Sequence, residues 1–224
     1  MEQKIRIAID GPAAAGKSTI AKLVAGRLGY TYIDTGAMYR ALTYKALRAG
    51  IDLDKASEVE ALLPGTEILL KPGPDGQTVI LDGEDVSGVI RTAPVTNGVS
   101  AVSAHAGVRS YMVAEQRRMA REGGVVMDGR DIGTAVLPDA ELKVFMTASV
   151  DERARRRHLE NLARGFESDL GLLAEEIAVR DKKDSERAVS PLVRAEDATL
   201  LDTTDMTIAE AAEAIIRLAQ GRAD

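Results

Sequence analysis

Apolar positions along the chain alternate between two rhythms. Ile5-Arg-Ile-Ala-Ile9 is a short apolar run ending in Asp10-Gly11 and predicts a buried strand. After a glycine-containing loop, Ile20, Leu23, Val24 and Leu28 recur at helical spacing. That pattern predicts a helix over Lys17–Leu28 with one buried face, stopped by Gly29. Tyr32-Ile33 predicts a second strand, closed by Asp34-Thr35-Gly36, and a second helix follows over about 38–49 before Gly50. Strand, helix, strand, helix is the opening of an α/β parallel sheet.

The middle of the chain breaks this rhythm. Short strands at 67–70 and Thr78–Leu81 flank the turn-rich link Lys-Pro-Gly-Pro-Asp-Gly at 71–76, which predicts an antiparallel hairpin. A hairpin is out of place in a βαβ series, so it reads as part of an inserted subdomain of about 62–106. Helical patterns return at 95–104 and 108–121. Val125-Val126-Met127 predicts a buried strand ending in Asp128-Gly129-Arg130-Asp131; further strands are expected at 142–146 and 200–201. Between them lie charged helices at Val150–Ala163 and 170–183, joined through Arg164-Gly165-Phe166. Thr207 with Glu210 three residues on predicts a capping box before a closing helix that buries Ile208, Ala212, Ile215, Ile216 and Ala219. The expected fold is therefore α/β: a P-loop NTPase-type parallel sheet flanked by helices, in one domain over 1–224.

Composition narrows the function. The chain of 224 residues carries 35 acidic against 29 basic side chains, a formal net charge of -6, so a general nucleic-acid binder with a basic footprint is not expected. With no cysteine, disulfides, thiolate metal sites and cysteine nucleophiles are excluded together. Two histidines, 105 and 158, are too few for a histidine metal centre and read as surface side chains. No apolar run approaches the ~18–20 residues that span a bilayer. The first residues are too short in their apolar part for a secretory signal, and a cytoplasmic protein is expected.

The strongest chemical signal is Gly11-Pro12-Ala13-Ala14-Ala15-Gly16-Lys17-Ser18, followed by Thr19, a full G-x-x-x-x-G-K-[ST] match between a strand and a helix. Its glycines let backbone N–H groups converge on phosphate oxygens, the helix N-terminus adds partial positive charge, and Lys17 adds a cation. The Ser18 hydroxyl suits Mg²⁺. ATP binding by residues 11–19 is the expectation. A regulatory GTPase would read guanine with Asn/Thr-Lys-x-Asp, which the chain lacks, so phosphoryl transfer to a small molecule is favoured.

An anionic acceptor needs cations more than a general base. Arg40 follows the second strand and Arg130 the strand ending at Met127, and the carboxyl ends of parallel strands border the ligand crevice. Asp128 sits where a Walker-B carboxylate would hold Mg²⁺; the alternative for Asp128-Gly129 is a turn after a strand. The basic stretch from Arg153 to Arg157 is either a solvated helix face or part of a lid, about 150–168, that brings arginines such as Arg153 and Arg156 to the triphosphate. Arg180, Asp184 and Arg187 recur at i, i+4 and i+7 and share one helical face. They are either a surface ion-pair series or an acceptor clamp.

With these motifs in place the chain resembles the bacterial-type cytidylate kinases, over essentially its whole length. The resemblance rests on Ile9-Asp-Gly-Pro12, Gly-Lys-Ser-Thr19, Asp34-Thr-Gly-Ala-Met-Tyr-Arg40, Glu84-Asp-Val-Ser87, Ile90-Arg-Thr92, Asp128-Gly-Arg-Asp131, Ile132-Gly-Thr134 and Arg187-Ala-Val-Ser-Pro-Leu192. It implies an ATP·Mg²⁺-dependent kinase acting on CMP and dCMP, with an enlarged acceptor-binding region that accommodates the predicted hairpin. By that resemblance Arg40, Arg130 and Arg187 hold the acceptor phosphate, and Asp184 with Arg180 reads the ribose. Ser100, Arg109 and Asp131 read the base, Thr35 and Tyr39 line the acceptor pocket, and Lys17, Arg130, Arg153 and Arg156 serve catalysis. Ser18 and Asp128 are the metal candidates. Thr35 stands where the family often has serine, and both carry a hydroxyl. The expected partners are ATP and CMP or dCMP, with no nucleic acid and no membrane, and the chain is expected to be a monomer. Two rivals stay open: a P-loop kinase for another nucleotide or metabolite, and a nucleotide-dependent regulatory switch.

Overall fold

The computed structural model describes residues 4–73, 77–163 and 165–222. The chain divides into two compact units, one of residues 1–31 with 123–224 and the other of residues 32–122. The second unit is wider than the insertion of about 62–106 expected from the hairpin alone. Residues 74–76 of the expected link, and Arg164 of the expected lid, lie outside the described residues.

The first unit is built on β1 (Arg6–Asp10), α1 (Lys17–Leu28), β6 (Val125–Gly129), β7 (Leu142–Thr147), α6 (Val150–Ala163), α7 (Leu170–Glu186), β8 (Thr199–Asp202) and α8 (Ile208–Gln220). Between β6 and β7, Ile132–Val136 forms a π-helical turn that no sequence pattern announced. With β2 (Thr31–Asp34), in which the boundary between the units falls, the strands run β2-β6-β1-β7-β8. β1 lies parallel to both β6 and β7, with Ile9 opposite Asp128 and Val144, and β7 lies parallel to β8. Ile7, Ala8 and Ile9 of β1, like Val126 and Met127 of β6, have no solvent exposure. Strands buried on both faces account for the continuous apolar runs in the sequence.

α1 starts and stops at the expected residues, and Gly29 caps it in the left-handed conformation, φ 66°. Its buried face is Ile20, Ala21, Val24 and Ala25, while Leu23 and Leu28 are half-buried. The capping box of α8 is present in both directions, and Ala211, Ala212, Ile215, Ile216 and Ala219 face inward. Ile208 departs from expectation: at the first helical position it points away from the packed face and is 55% exposed.

The second unit holds α2 (Thr35–Arg48), α3 (Ala56–Glu60), β3 (Ile68–Lys71), β4 (Thr78–Leu81), β5 (Glu84–Asp85), α4 (Ala93–Ala104) and α5 (Ala106–Met119). β3 and β4 form the expected antiparallel hairpin, and β5 adds a third strand too short to leave a pattern. α2 begins at Thr35, three residues before the predicted start, because the Asp34 carboxylate accepts from the Ala37 N–H at 2.8 Å and caps the helix. Met38, Leu42, Val59, Val86, Ile90, Val102, Val108 and Met112 make a fully buried core. Both histidines are half-buried: His105 Nε2 lies 2.8 Å from the Leu53 carbonyl and His158 Nδ1 lies 3.0 Å from Ser168 Oγ.

The end of α8 gives a stability test. Thr207→Ala removes the acceptor for the Glu210 N–H and should cost about 1 kcal/mol, lowering Tm by roughly 2–4 °C. Ile208→Ala, at an exposed site, should shift stability by less than about 0.5 kcal/mol. Thermal unfolding of both variants checks the pair; a larger loss for Ile208→Ala would contradict this account of the helix face.

Candidate active site

The loop from Gly11 to Gly16 joins the end of β1 to α1, and its backbone is unusual. Gly11 has φ 149°, and a Cβ there would overlap the Met146 carbonyl of β7. Gly16, at φ 83°, caps the start of α1, and Ala14 adopts φ 58° without being glycine. The left-handed positions turn the chain tightly enough to open α1 just beyond the end of β1.

Lys17 is buried, and its Nζ donates to the Pro12 carbonyl at 2.7 Å across the loop. Burial pushes its pKa well below the lysine range, and the nearby Arg130 guanidinium pushes it the same way, against the attraction of Asp128 and Asp10. A cation held so unfavourably gains most from an anion such as a phosphate. The Ser18 hydroxyl donates to Asp128 Oδ2 at 2.8 Å. Asp128 lies inside β6, which runs on to Gly129, so the turn explanation for this residue does not hold. Two hard oxygen donors at hydrogen-bond distance fit Mg²⁺, which takes one or two protein oxygens and completes its shell with water and substrate phosphates. Among the described residues no cluster of three or more His, Cys, Asp or Glu side chains suits a metal, so a cage built wholly of protein is not offered.

Beyond β6, Arg130 Nε donates to Asp184 Oδ2 at 2.8 Å, and Arg187 Nη2 lies 3.6 Å from Asp131 Oδ1. Asp131 and Asp184 are both buried. The first unit thus brings Lys17, Ser18, Asp128, Arg130, Asp131, Asp184 and Arg187 into linked interactions, and Arg180 acts electrostatically on Lys17. Arg187 differs from its predicted place: α7 ends at Glu186, and Arg187 follows it in extended backbone, φ -63° and ψ 142°. Its Nε donates to the Ser190 carbonyl at 2.6 Å, so it is not on one helical face with Arg180 and Asp184.

The arginines of α6 are anchored to protein atoms. Arg153 is buried, donates to the carbonyls of Ala148 at 2.9 Å and Ala13 at 3.0 Å, and pairs with Asp181 at 2.7 Å. Asp181 in turn accepts from the Ala13 N–H at 3.4 Å. Arg156 bonds Glu152 at 2.8 Å and both oxygens of Thr203. Hydrogen bonds from Arg155 and Arg156 hold the Glu152 carboxyl at a pKa of about 2.

In the second unit, Arg40 Nη2 pairs with Asp34 Oδ2 at 2.9 Å, and its buried Nε has no hydrogen-bond partner. A buried guanidinium N–H left over in this way suits an anionic ligand. Arg109 is buried, with its guanidinium carbon 5.5 Å from the centre of the Tyr39 ring and Nη1 donating to the Ser103 carbonyl at 2.9 Å. Thr35 is buried near the start of α2, and Ser100 is half-buried on α4.

Sequence reasoning assigned no role to Asp10 or Asp181. Asp10 ends an apolar strand, the same signal that drew attention to Asp128, and its carboxylate accepts from the amides of Ile132 and Gly133 at 2.8 and 2.7 Å. Burial lifts its pKa to about 6, against the pull of those two amides, with Asp131 adding to the rise and Lys17 opposing it. Asp181 sits in a charged helix, where no pattern separates it from its neighbours.

The raised Asp10 pKa has a measurable consequence. The unfolded value is near 3.8 and the folded value about 6, so the native state holds the extra proton between them. The stability this confers is present in full below about pH 4 and lost as pH rises through about 6. Relative to Asp10→Asn, the wild type should therefore gain on the order of 2–3 kcal/mol as pH falls from about 7 to 4. Denaturant unfolding across that interval checks it; a difference that stays flat would contradict the burial argument.

Comparison with known proteins covers nearly the whole chain. Residues 7–221 match the family described as cytidylate kinase. A protein of Geobacillus thermodenitrificans (strain NG80-2) named cytidylate kinase is 60% identical over 99% of both chains. A Lysinibacillus sphaericus (strain C3-41) protein of the same name is 60% identical over 98% of each. Among solved structures, an uncharacterized protein from Eubacterium ventriosum ATCC 27560 superposes with a TM-score of 0.55 at 14% identity, covering 98% of this chain and 99% of that one. Shikimate kinase from Acinetobacter baumannii superposes with a TM-score of 0.50 at 16% identity, covering 98% and 95%. Likeness at such identity bears on the fold, here that of the P-loop kinases. The match over nearly the whole length, with relatives at 60% identity, is decisive for the family: the chain belongs to the cytidylate kinases.

Proposed function

We propose that the protein transfers the γ-phosphoryl group of ATP directly to CMP or dCMP, in line, forming the diphosphates without a covalent enzyme intermediate. The observation that carries this reading is the phosphate loop, with Lys17 buried among charges and Ser18 bonded to Asp128 of β6, in a chain of this family. Residues 11–19 bind the donor phosphates through Lys17 and through the loop N–H groups, Pro12 having none. Ser18 and Asp128 are the residues to hold Mg²⁺, which when bound neutralises charge on the phosphate oxygens. Arg130 and Arg187, with Arg40, balance the charge of the acceptor phosphate. Its oxygen is already anionic, so positioning and charge neutralisation supply most of the catalysis.

For the rest of the acceptor the roles follow the family pattern. Asp184 and Arg180 serve the ribose, Thr35 and Tyr39 the acceptor pocket, and Ser100, Arg109 and Asp131 the base. Arg153 and Arg156 act on the donor side, Arg153 through its bond to the Ala13 carbonyl of the phosphate loop. Residues about 150–168 act as the lid and about 62–106 as the acceptor-binding insertion. No helix among the described residues is long and apolar enough to cross a membrane. We place the enzyme in the cytoplasm, in pyrimidine nucleotide metabolism, as a monomer.

The reaction is tested by ADP formation from ATP·Mg²⁺ with CMP, dCMP, UMP, AMP, GMP or no acceptor. Strong stimulation by CMP and dCMP with weak stimulation by UMP is expected. Stimulation by another nucleotide would keep the kinase and discard the acceptor assignment, and turnover without acceptor dependence would favour a nucleotide switch. The base reading has its own test. Cytosine offers an exocyclic amine to the Asp131 carboxylate, whereas uracil presents an oxygen, a mismatch costing ~1–3 kcal/mol when buried. Asp131→Ala should lower the preference for CMP over UMP more than it lowers maximal turnover. Equal losses on both substrates would remove Asp131 from base recognition.

A further inference from the structure

Asp10 is 5% exposed, yet both hydrogen bonds of its carboxylate go to one place, the first two amides of the turn Ile132–Val136. A buried carboxylate is costly, and the opening amides of any helical turn are without an intrahelical acceptor. The two needs are met together across 122 residues of chain. Lys17, the neighbouring cation, donates to the Pro12 carbonyl instead. The turn is tied to Asp131 as well: the Asp131 carbonyl accepts from Ala135 at 2.8 Å and Val136 at 3.2 Å. Turns of this type are rare and tend to occur at functional sites. A shift of the turn therefore moves Asp131, which faces Arg187, and with it Arg130, which is bonded to Asp184.

We propose that Asp10 is a positioning residue for the acceptor nucleotide: by clamping the N–H groups of Ile132 and Gly133 it sets where Arg130 and Asp131 stand. This rests on the acceptor roles given to those two residues above. With the Asp10 carboxylate buried and taken up by those two amides, its effect is expected on one substrate only. A carboxylate supplies two acceptors to two amides, whereas an asparagine supplies one and turns an NH₂ against the other amide. Gly133 offers a second way to disturb the same contact, since a Cβ there would lie 3.4 Å from Asp10 Oδ2 and 3.2 Å from Lys143 Cδ.

The experiment measures kcat and the KM of each substrate for wild type, Asp10→Asn and Gly133→Ala, with Tm recorded for all three. The expected result is a rise of about tenfold in KM for CMP for Asp10→Asn and a smaller rise for Gly133→Ala, while KM for ATP changes less than about twofold. If Asp10→Asn does not fold, Gly133→Ala carries the test, and an unchanged KM for CMP in that variant overturns the proposal. A lower Tm with both KM values unchanged, or an equal rise for CMP and ATP, also overturns it, the first by making Asp10 purely structural and the second by assigning it to the phosphate loop. A wild type with no CMP-dependent turnover would instead bring down the proposed function itself.

Discussion

The site depends on the place of β1 in the sheet. Because Arg6–Asp10 pairs in parallel with β6 on one side and β7 on the other, the carboxyl ends of three strands emerge side by side. The loop after β1 becomes the phosphate loop, the residues after β6 supply Arg130 and Asp131, and the Met146 carbonyl of β7 lies so close to Gly11 that no side chain fits there. Ligand sites at the carboxyl ends of such sheets follow from this geometry. Here the constraint is tighter than the general rule. The full burial of Ile7 and Ile9 fixes β1 against slipping, since a one-residue shift would drive Arg6 or Asp10 into the apolar layer.

Around that strand the first unit concentrates charge in positions where charge is expensive. Asp10, Lys17, Asp128, Asp131, Arg153 and Asp184 are all buried. Paired buried ions bring little net stability, and breaking a pair is far more costly than never having made it. Their value is therefore in placement. Arg153 and Asp181 show this most plainly: one donates to the Ala13 carbonyl, the other accepts from the Ala13 N–H, and the two are paired with each other. A single residue of the phosphate loop is held at both its N–H and its carbonyl.

Much of this was legible in the chain because the signals were local. The P-loop is a contiguous string, α1 is bounded by Lys17 and Gly29, and the capping box of α8 needs only Thr207 and Glu210. What escaped were contacts made at long range or against local pattern. The Asp34 cap moved the start of α2 back to Thr35, because a side-chain acceptor outweighed the Gly36 that suggested a turn. The π-helical turn at 132–136 has its first amide bonded to a carboxylate 122 residues away, and nothing in Ile-Gly-Thr-Ala-Val declares it. The periodicity linking Arg180, Asp184 and Arg187 was genuine in spacing but ended one residue too soon, since the helix stops at Glu186. The basic run of α6 likewise gave no sign of the backbone carbonyls of Ala148 and Ala13 to which Arg153 donates.

The same geometry bears on why the chain can manage with two histidines. Each ring is already engaged, His105 with the Leu53 carbonyl and His158 with Ser168. What surrounds the phosphate loop is instead a set of guanidiniums and one buried ammonium, held in place by carboxylates. When the attacking group is a phosphate oxygen, there is no alcohol proton to remove, and the barrier is dominated by bringing two anions together. Cations fixed before the substrate arrives lower that barrier without reorganising. The depressed pKa of Lys17 then has a functional sense: the ammonium is poorly solvated and crowded by Arg130, so an incoming phosphate relieves a repulsion that the folded protein maintains. The mutual repulsion of these cations, held in check by Asp128, Asp131 and Asp184, is the electrostatic preparation that a transfer between two phosphates requires.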